Sequence, residues 1–294
     1  MTSAVVVPVR DGAALIVPAL EALLSEFEPH LIIVVDDGSR DASAAIAAAR
    51  GATVLVGAGV GPYAARNDGW RHAAVSGVEL VLFSDVRCRV RPGWREAMEA
   101  AAARGGGALF GGETITSPGT SHAARHAAAV QPLAMRHGLE RPFLPFFPTA
   151  NLAVTAAALA AVDGFAVAAS GGDLDLCWRV QLAGLGGCVA VPDAIVDWVP
   201  RSTMGSYLTN CRKYGAAAPA VTTRFAAAGA PTTAPPGWPA YVASEARHIA
   251  RELVRHTVPA SVVPVGVLAR LASRSGQLAS WRAMQKQSAA RRSP

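Results

Sequence analysis

Four short apolar runs, each closing on a polar turn, constrain this chain more than any other feature. They are "AVVVPV" (residues 4–9), "HLIIVVDDGS" (30–39), "ATVLVG" (52–57) and "VELVLFSDV" (78–86). Nearly continuous Val, Ile and Leu without polar alternation belongs to strands covered on both faces. Segments of helical period lie between them. "GAALIVPALEALLSEF" (12–27) sets Leu15, Leu20, Leu23, Leu24 and Phe27 near one face, with Pro18 tolerable only close to the helix start. "RDASAAIAAAR" (40–50) and "GPYAARNDGWRHAAVSG" (61–77) supply the next two helices. Strand–helix alternation at this spacing predicts βαβ units, right-handed crossovers and a mostly parallel sheet flanked by helices.

Ligands of such sheets bind beyond the carboxyl ends of the strands. Those ends carry Pro8, Val9 and Arg10, then Asp36 and Asp37, then Asp85, so the acids are expected to converge in one crevice. The second half is less regular. A strand is expected at 105–115, a helix over 122–138, a Pro-rich loop running into an apolar segment at 141–154, and a helix within "SGGDLDLCWRVQLAG" (170–184). "AAAGAPTTAPPGWPA" (226–240) reads as a linker, and 241–255 as an amphipathic helix. The expected organisation is therefore an α/β domain over 1–225, a linker over 226–240 and a basic helical extension over 241–294.

Composition narrows the chemistry. A chain of 294 residues, 51% hydrophobic, can bury a large core. Only Lys213 and Lys286 are lysines, which disfavours Schiff-base catalysis. Cys88, Cys177, Cys188 and Cys211 form no C-x-x-C pair, as expected for idle thiols in a reducing, cytoplasmic compartment. No signal peptide is read at the N-terminus, and "TVPASVVPVGVLARLA" (257–272) is too broken by Pro259, Pro264 and Arg270 to span a membrane. His122 and His126, four apart with His137 nearby, lack an evident third metal ligand.

Two stretches point to a nucleotide. In "VVDDGSRD" a carboxylate can accept a hydrogen bond from a base or ribose, although Asp37 or Ser39 can equally cap the following helix. In "GPYAARNDGW", Arg66 lies at a helix start, where an arginine is poorly placed against the dipole unless an anion binds there.

Together with "VVVPVRDG", "FSDV", "NLAV", "GGDLDLCWRVQLAG" and "RKYG", these stretches occur in the order found in inverting family 2 glycosyltransferases of the GT-A fold. The chain resembles that family from about Ala4 to Gly215. The resemblance implies a GT-A-like (Rossmann-like) fold and a nucleoside-diphosphate sugar donor, UDP favoured by family frequency. It places Pro8, Val9 and Arg10 along the nucleoside pocket, Asp36 and Asp37 at the base, and Arg66 at the base or diphosphate. Asp85 matches the first acid of the Asp-x-Asp motif, and Asp173 the general base for the acceptor hydroxyl. Asn151, Gly171 and Trp178 are expected around the acceptor channel.

The sequence departs from the pattern at one centre. Arg87 stands where the family has the second acid of the motif, Gly172 where it has the Glu before the base, and the position of a later family histidine falls near Asp197. In one reading, Arg87 takes the place of a divalent cation, Mg or Mn, with Asp197 holding it; arginine is always charged and suits phosphate geometry. In the other, the protein is a degenerate nucleotide-sugar-binding or scaffold protein. A nucleotidyltransferase also pairs an α/β crevice with acids, but it normally wants a metal, which Arg87 disfavours.

Net charge is +6, and beyond Leu253 there are seven Arg and Lys residues and no acid. Arg247, Arg251 and Arg255 recur every four residues, apart from the face of Ala246, Ile249 and Leu253. An anionic membrane surface is the functional reading and a packed helix with a solvated edge the bland one. Without interleaved aromatics, a nucleic-acid partner is not expected.

Overall fold

The computed structural model describes residues 1–232, 234–255 and 257–290, with side chains to 286. Arg291 and Arg292, part of the basic C-terminal excess, lie outside the described residues. The eight strands are β1 (Ser3–Val9), β2 (Ile32–Asp36), β3 (Thr53–Val56), β4 (Leu80–Phe83), β5 (Cys88–Val90), β6 (Gly107–Thr116), β7 (Leu152–Thr155) and β8 (Gly187–Trp198). The helices are α1 (Ala13–Leu24), α2 (Ser43–Ala48), α3 (Pro62–Val75), α4 (Trp94–Ala103), α5 (His122–Val130) and α6 (Arg136–Leu139). They continue with α7 (Ala156–Ala161), α8 (Gly172–Leu182), α9 (Met204–Arg224), α10 (Trp238–Val254) and α11 (Val263–Ala290).

The chain forms two compact units. The first comprises Met1–Thr116, Leu133–Ala168 and Gly172–Val199. Its sheet has the order β3-β2-β1-β4-β7-β6-β8-β5. β1 pairs in parallel with β2 and β4, and β2 with β3, so the four predicted runs end on one edge. β7 runs antiparallel to β4, Phe83 facing Leu152, which brings the chain just before β7 to that same edge.

The absence of polar alternation is explained by two buried faces. Val5, Val7, Val9, Ile32, Val34, Leu80 and Leu82 pack with Ile16, Leu20 and Leu23 of α1 and Trp94 and Met98 of α4. Ala4, Val6, Ile33, Val35, Val81 and Phe83 pack with α3 and with Leu176 and Val180 of α8 on the opposite face. The result is an α/β/α arrangement of the expected class.

The second unit comprises Ser117–Pro132, Ala169–Gly171 and the chain from Pro200 onward. Here α9 and α11 cross at close range: a Cβ on Gly215 would strike the backbone of Ser273, and one on Gly276 the backbone of Arg212. His126, expected beside His122 and His137, directs Nδ1 to the Tyr207 hydroxyl at 2.8 Å. No cluster of three or more metal-ligating side chains occurs among the described residues.

Several expectations change. The helix expected over 122–138 ends at Val130, because Gln131 adopts a left-handed conformation (φ +48°) and Pro132 follows. The boundary expected at 225 differs from the packing, since α5 and α9 group with the C-terminal helices. The linker reading, 226–240, covered the first three residues of α10. Pro264 does not break α11, because it occupies the second position, where no intrahelical N–H bond is lost. Pro18 does lie inside α1. β8 was not foreseen, its run being interrupted by Pro192 and Asp193.

Candidate active site

At the end of β2, Asp36 and Asp37 have different surroundings. Asp36 Oδ1 accepts the Ser39 amide at 3.0 Å and closes the turn through Gly38 (φ +78°). The helix-capping alternative for Asp37 and Ser39 fails: α2 begins after Ala42 with no side-chain cap. Ser39 and Ser43 instead accept the amides of Asp11 and Gly12, and Asp41 that of Ala13. The Ser43 hydroxyl, followed by the Ala13 amide, holds the Asp41 pKa below its ordinary value. Asp37 is left over. Its amide donates to Val9 O at 2.8 Å, its side chain is buried, and Oδ1 accepts nothing among the described residues.

The loop after β3 lies against this turn. Gly57 donates to Asp36 O at 2.9 Å, and Gly59 O accepts Arg10 Nη1 at 3.3 Å. The expectation that Val9 lines the pocket needs correction: its side chain is in the core beside α1 and its carbonyl is taken by Asp37. Pro8 is buried and Arg10 exposed.

A second group of side chains is linked by an ion pair, a ring contact and a hydrogen bond. Arg66, one turn into α3, is buried and ion-paired with Asp85 Oδ1 at 2.5 Å. Its Nε has no acceptor among the described residues, and its guanidinium sits 5.5 Å from the centre of the Tyr63 ring. Tyr63 stacks on Phe165 at 5.7 Å. The ring also occupies the space beside Gly172, where a Cβ would come within 2.7 Å of it. A side chain at 172 is thus excluded by Tyr63, whose hydroxyl donates to Asp173 Oδ1 at 3.4 Å.

Asp173, second residue of α8, also accepts the Leu174 amide at 3.0 Å. Burial raises its pKa above the ordinary carboxylate value, while the Leu174 amide, the Arg66 charge and the Thr149 amide pull it part of the way back. Arg141 is a further ionic neighbour of Asp173 and stacks on Phe146 at 5.0 Å. Sequence reasoning missed Arg141; only its place in the "RPFLPFFPTAN" loop flagged the region.

The acceptor-channel residues fare differently. Asn151 is fully buried: Oδ1 accepts Trp94 Nε1 at 2.8 Å, and Nδ2 donates to Glu113 O and Ala194 O, each at 2.9 Å. It has no surface to offer an acceptor, so that expectation is corrected. Trp178 is likewise buried, donating to Leu144 O at 2.8 Å and packing edge-on against Phe143. It fixes the loop that carries Arg141 and does not line a channel. Gly171 (φ +83°) belongs to the second unit, where its Cβ position lies 3.0 Å from Ala217 Cβ. The pairing expected between Arg87 and Asp197 is also corrected. Both Asp197 oxygens take Arg91 at 2.8 Å, while Arg87 Nη1 donates to Val199 O at 3.3 Å.

Asp85 is the one motif acid beside a buried guanidinium, and Arg87 stands where a second oxygen donor would be. A carboxylate already ion-paired is a poor ligand for a hard divalent cation, which wants several unshared oxygens. The donor set does not fit a metal held by the protein.

An acceptor after β2 without a partner among the described residues, a buried arginine paired with the acid after β4, and a carboxylate of raised pKa at the start of α8 all belong to this α/β unit. Comparison with known proteins gives the family. Residues 4–161 match the model of glycosyl transferase family 2, and the chain belongs to that family. It is 31% identical, over 191 residues, to the pre-mycofactocin glycosyltransferases of Mycobacterium tuberculosis strains CDC 1551 / Oshkosh and ATCC 25618 / H37Rv. That match covers 61% of this chain but only 39% of those proteins. Its fold is similar to the mannosyltransferase PcManGT from Pyrobaculum calidifontis, solved with GDP-Man and Mn2+ (18% identity, 98% and 79% of the two chains, TM-score 0.54). It is similar also to glucosyl-3-phosphoglycerate synthase from Mycobacterium tuberculosis, solved with Mn2+, UDP and phosphoglyceric acid (20% identity, 79% and 80%, TM-score 0.52).

Proposed function

We propose that the protein is an inverting glycosyltransferase that moves a hexosyl group from a nucleoside-diphosphate sugar, UDP favoured, to an acceptor hydroxyl. The observation that carries this reading is the continuous chain Asp85–Arg66–Tyr63–Asp173. It sets one carboxylate of raised pKa beside a buried cation. Asp173 takes the proton of the incoming hydroxyl as its oxygen bonds to the anomeric carbon. The bond from that carbon to the diphosphate breaks on the opposite face, inverting the centre. Arg66, through its free Nε, and Arg87 meet the charge on the departing diphosphate. Asp37 accepts from the base. Pro8 and Arg10 border the nucleoside.

No divalent ion takes part in this reading, since Arg87 supplies fixed positive charge. It differs here from the neighbours solved with Mn2+. The reading also places the enzyme in the cytoplasm, peripheral to an anionic membrane surface through the Arg247, Arg251 and Arg255 stripe. The catalytically degenerate alternative rests on the same departures at Arg87 and Gly172, but Tyr63 fills the second of these and contacts the base.

The test is transfer from a panel of sugar nucleotides with excess chelator, comparing Asp173→Asn with the unaltered protein. A loss of at least about a hundredfold, with nucleotide affinity retained by calorimetry, is expected. Strict dependence on manganese or magnesium would remove the role of Arg87, and absence of transfer with every donor would favour the binding protein.

A further inference from the structure

Helix α10 is built inside out. Its two acids, Glu245 and Glu252, face inward: Arg270 of α11 donates to Glu245 Oε2 at 2.8 Å and to Glu252 Oε1 at 3.3 Å. Arg274 lies over the Tyr241 ring at 4.2 Å, and Ile249 packs with Val258, Val262 and Val263. At about 100° per residue these positions share one sector. The adjoining sector carries Pro239, Val242, Ala243, Ala246, Ala250, Leu253 and Val254, all exposed, with Val242 at 59% and Val254 at 79%. The sector after it carries the exposed Arg247, Arg251 and Arg255.

A solvated surface helix would turn its carboxylates outward and its valines inward. Here both acids are withdrawn, and the outward surface is an apolar strip bordered by three cations. We propose that this strip seats in the interfacial layer of an anionic bilayer, with the three arginines at the lipid phosphates. This deepens the peripheral placement already proposed and rests on it: lipid contact is by insertion as well as by charge. Charge complementarity selects the occupant, since no acid on α10 remains to oppose an anionic surface. No helix among the described residues is long and apolar enough to cross a membrane, so the strip lies in the plane of the surface.

The full chain is sedimented with phosphatidylcholine vesicles, with or without phosphatidylglycerol. The unaltered protein should bind the anionic vesicles. Val242→Ser/Val254→Ser should lower partition about tenfold with an unchanged melting curve, both side chains being exposed. Arg247→Gln/Arg251→Gln should abolish the preference for phosphatidylglycerol. Equal binding by the valine variant and the unaltered protein overturns insertion while leaving electrostatic placement intact. No vesicle binding by the unaltered protein overturns the placement itself. A concentration-dependent dimer that the valine variant abolishes assigns the strip to a second copy and overturns the proposal. Nucleotide affinity in solution, measured separately, reports on the catalytic reading alone.

Discussion

Tyr63 acts on two neighbouring positions of α8 at once. Its ring leaves no room for a side chain at 172, and its hydroxyl reaches the carboxylate at 173. Tyr63→Phe keeps the ring and removes one donor to ionised Asp173, so the Asp173 pKa should rise further. The acidic limb of the kcat profile should move to higher pH, with kcat lower on that limb, unchanged on the plateau above it, and donor KM unchanged. The stability sign runs the other way from a paired acid. With its folded pKa above its unfolded one, the stabilisation linked to Asp173 is present below the unfolded pKa. It is lost as pH rises through the folded value. Asp173→Asn should therefore melt no lower than the unaltered protein at neutral pH, and calorimetry reads this directly. The places of Asp37, Asp85 and Asp173 in the fold were legible because each follows a strand or opens a helix. Asn151 was misread because a motif position does not reveal that Trp94, Glu113 and Ala194 consume its polar atoms.

Among the elements, β1 to β4 and α1 to α3 were legible from period and apolar density alone. β5 and β8 were not: β5 has three residues, and β8 carries Pro192, Asp193 and Asp197 within its run. Helix α9 escaped because its Ala-rich sequence shows no clear apolar face. Asn151 ties β7 to α4 and to the carbonyls of β6 and β8. Asn151→Ala removes the acceptor of the Trp94 indole N–H and the donor to the Glu113 and Ala194 carbonyls, costing about 3 kcal/mol. Denaturant unfolding should show that loss, while acceptor KM in the surviving fraction stays unchanged, because the residue is fully buried and its side-chain polar atoms are spent on joining elements.

For the whole molecule, the net charge of +6 bears on encounter with the proposed diphosphate donor. Raising ionic strength from low to physiological screens that attraction. Donor kcat/KM should fall several-fold, mostly through KM, in steady-state assays at fixed pH; a flat dependence would restrict the electrostatics to the few arginines in contact. The two compact units were only half visible in the sequence. The Pro/Gly-rich stretch at 226–240 marked a change of composition, yet α5 and α9 precede it and pack with α11 on its far side. Packing between distant helices through Gly215 and Gly276 leaves no local signature.

In the proposed reading, the Asp37 oxygen that accepts nothing among the described residues acts as a filter on heterocycles. Uracil and guanine present a ring N–H next to a carbonyl and can satisfy it. Unprotonated cytosine and adenine turn a lone pair toward the same point and meet repulsion. Uridine and guanosine diphosphates should therefore raise the melting temperature where their cytidine and adenosine counterparts do not, and Asp37→Asn, whose amide can turn to suit either pattern, should blunt that discrimination.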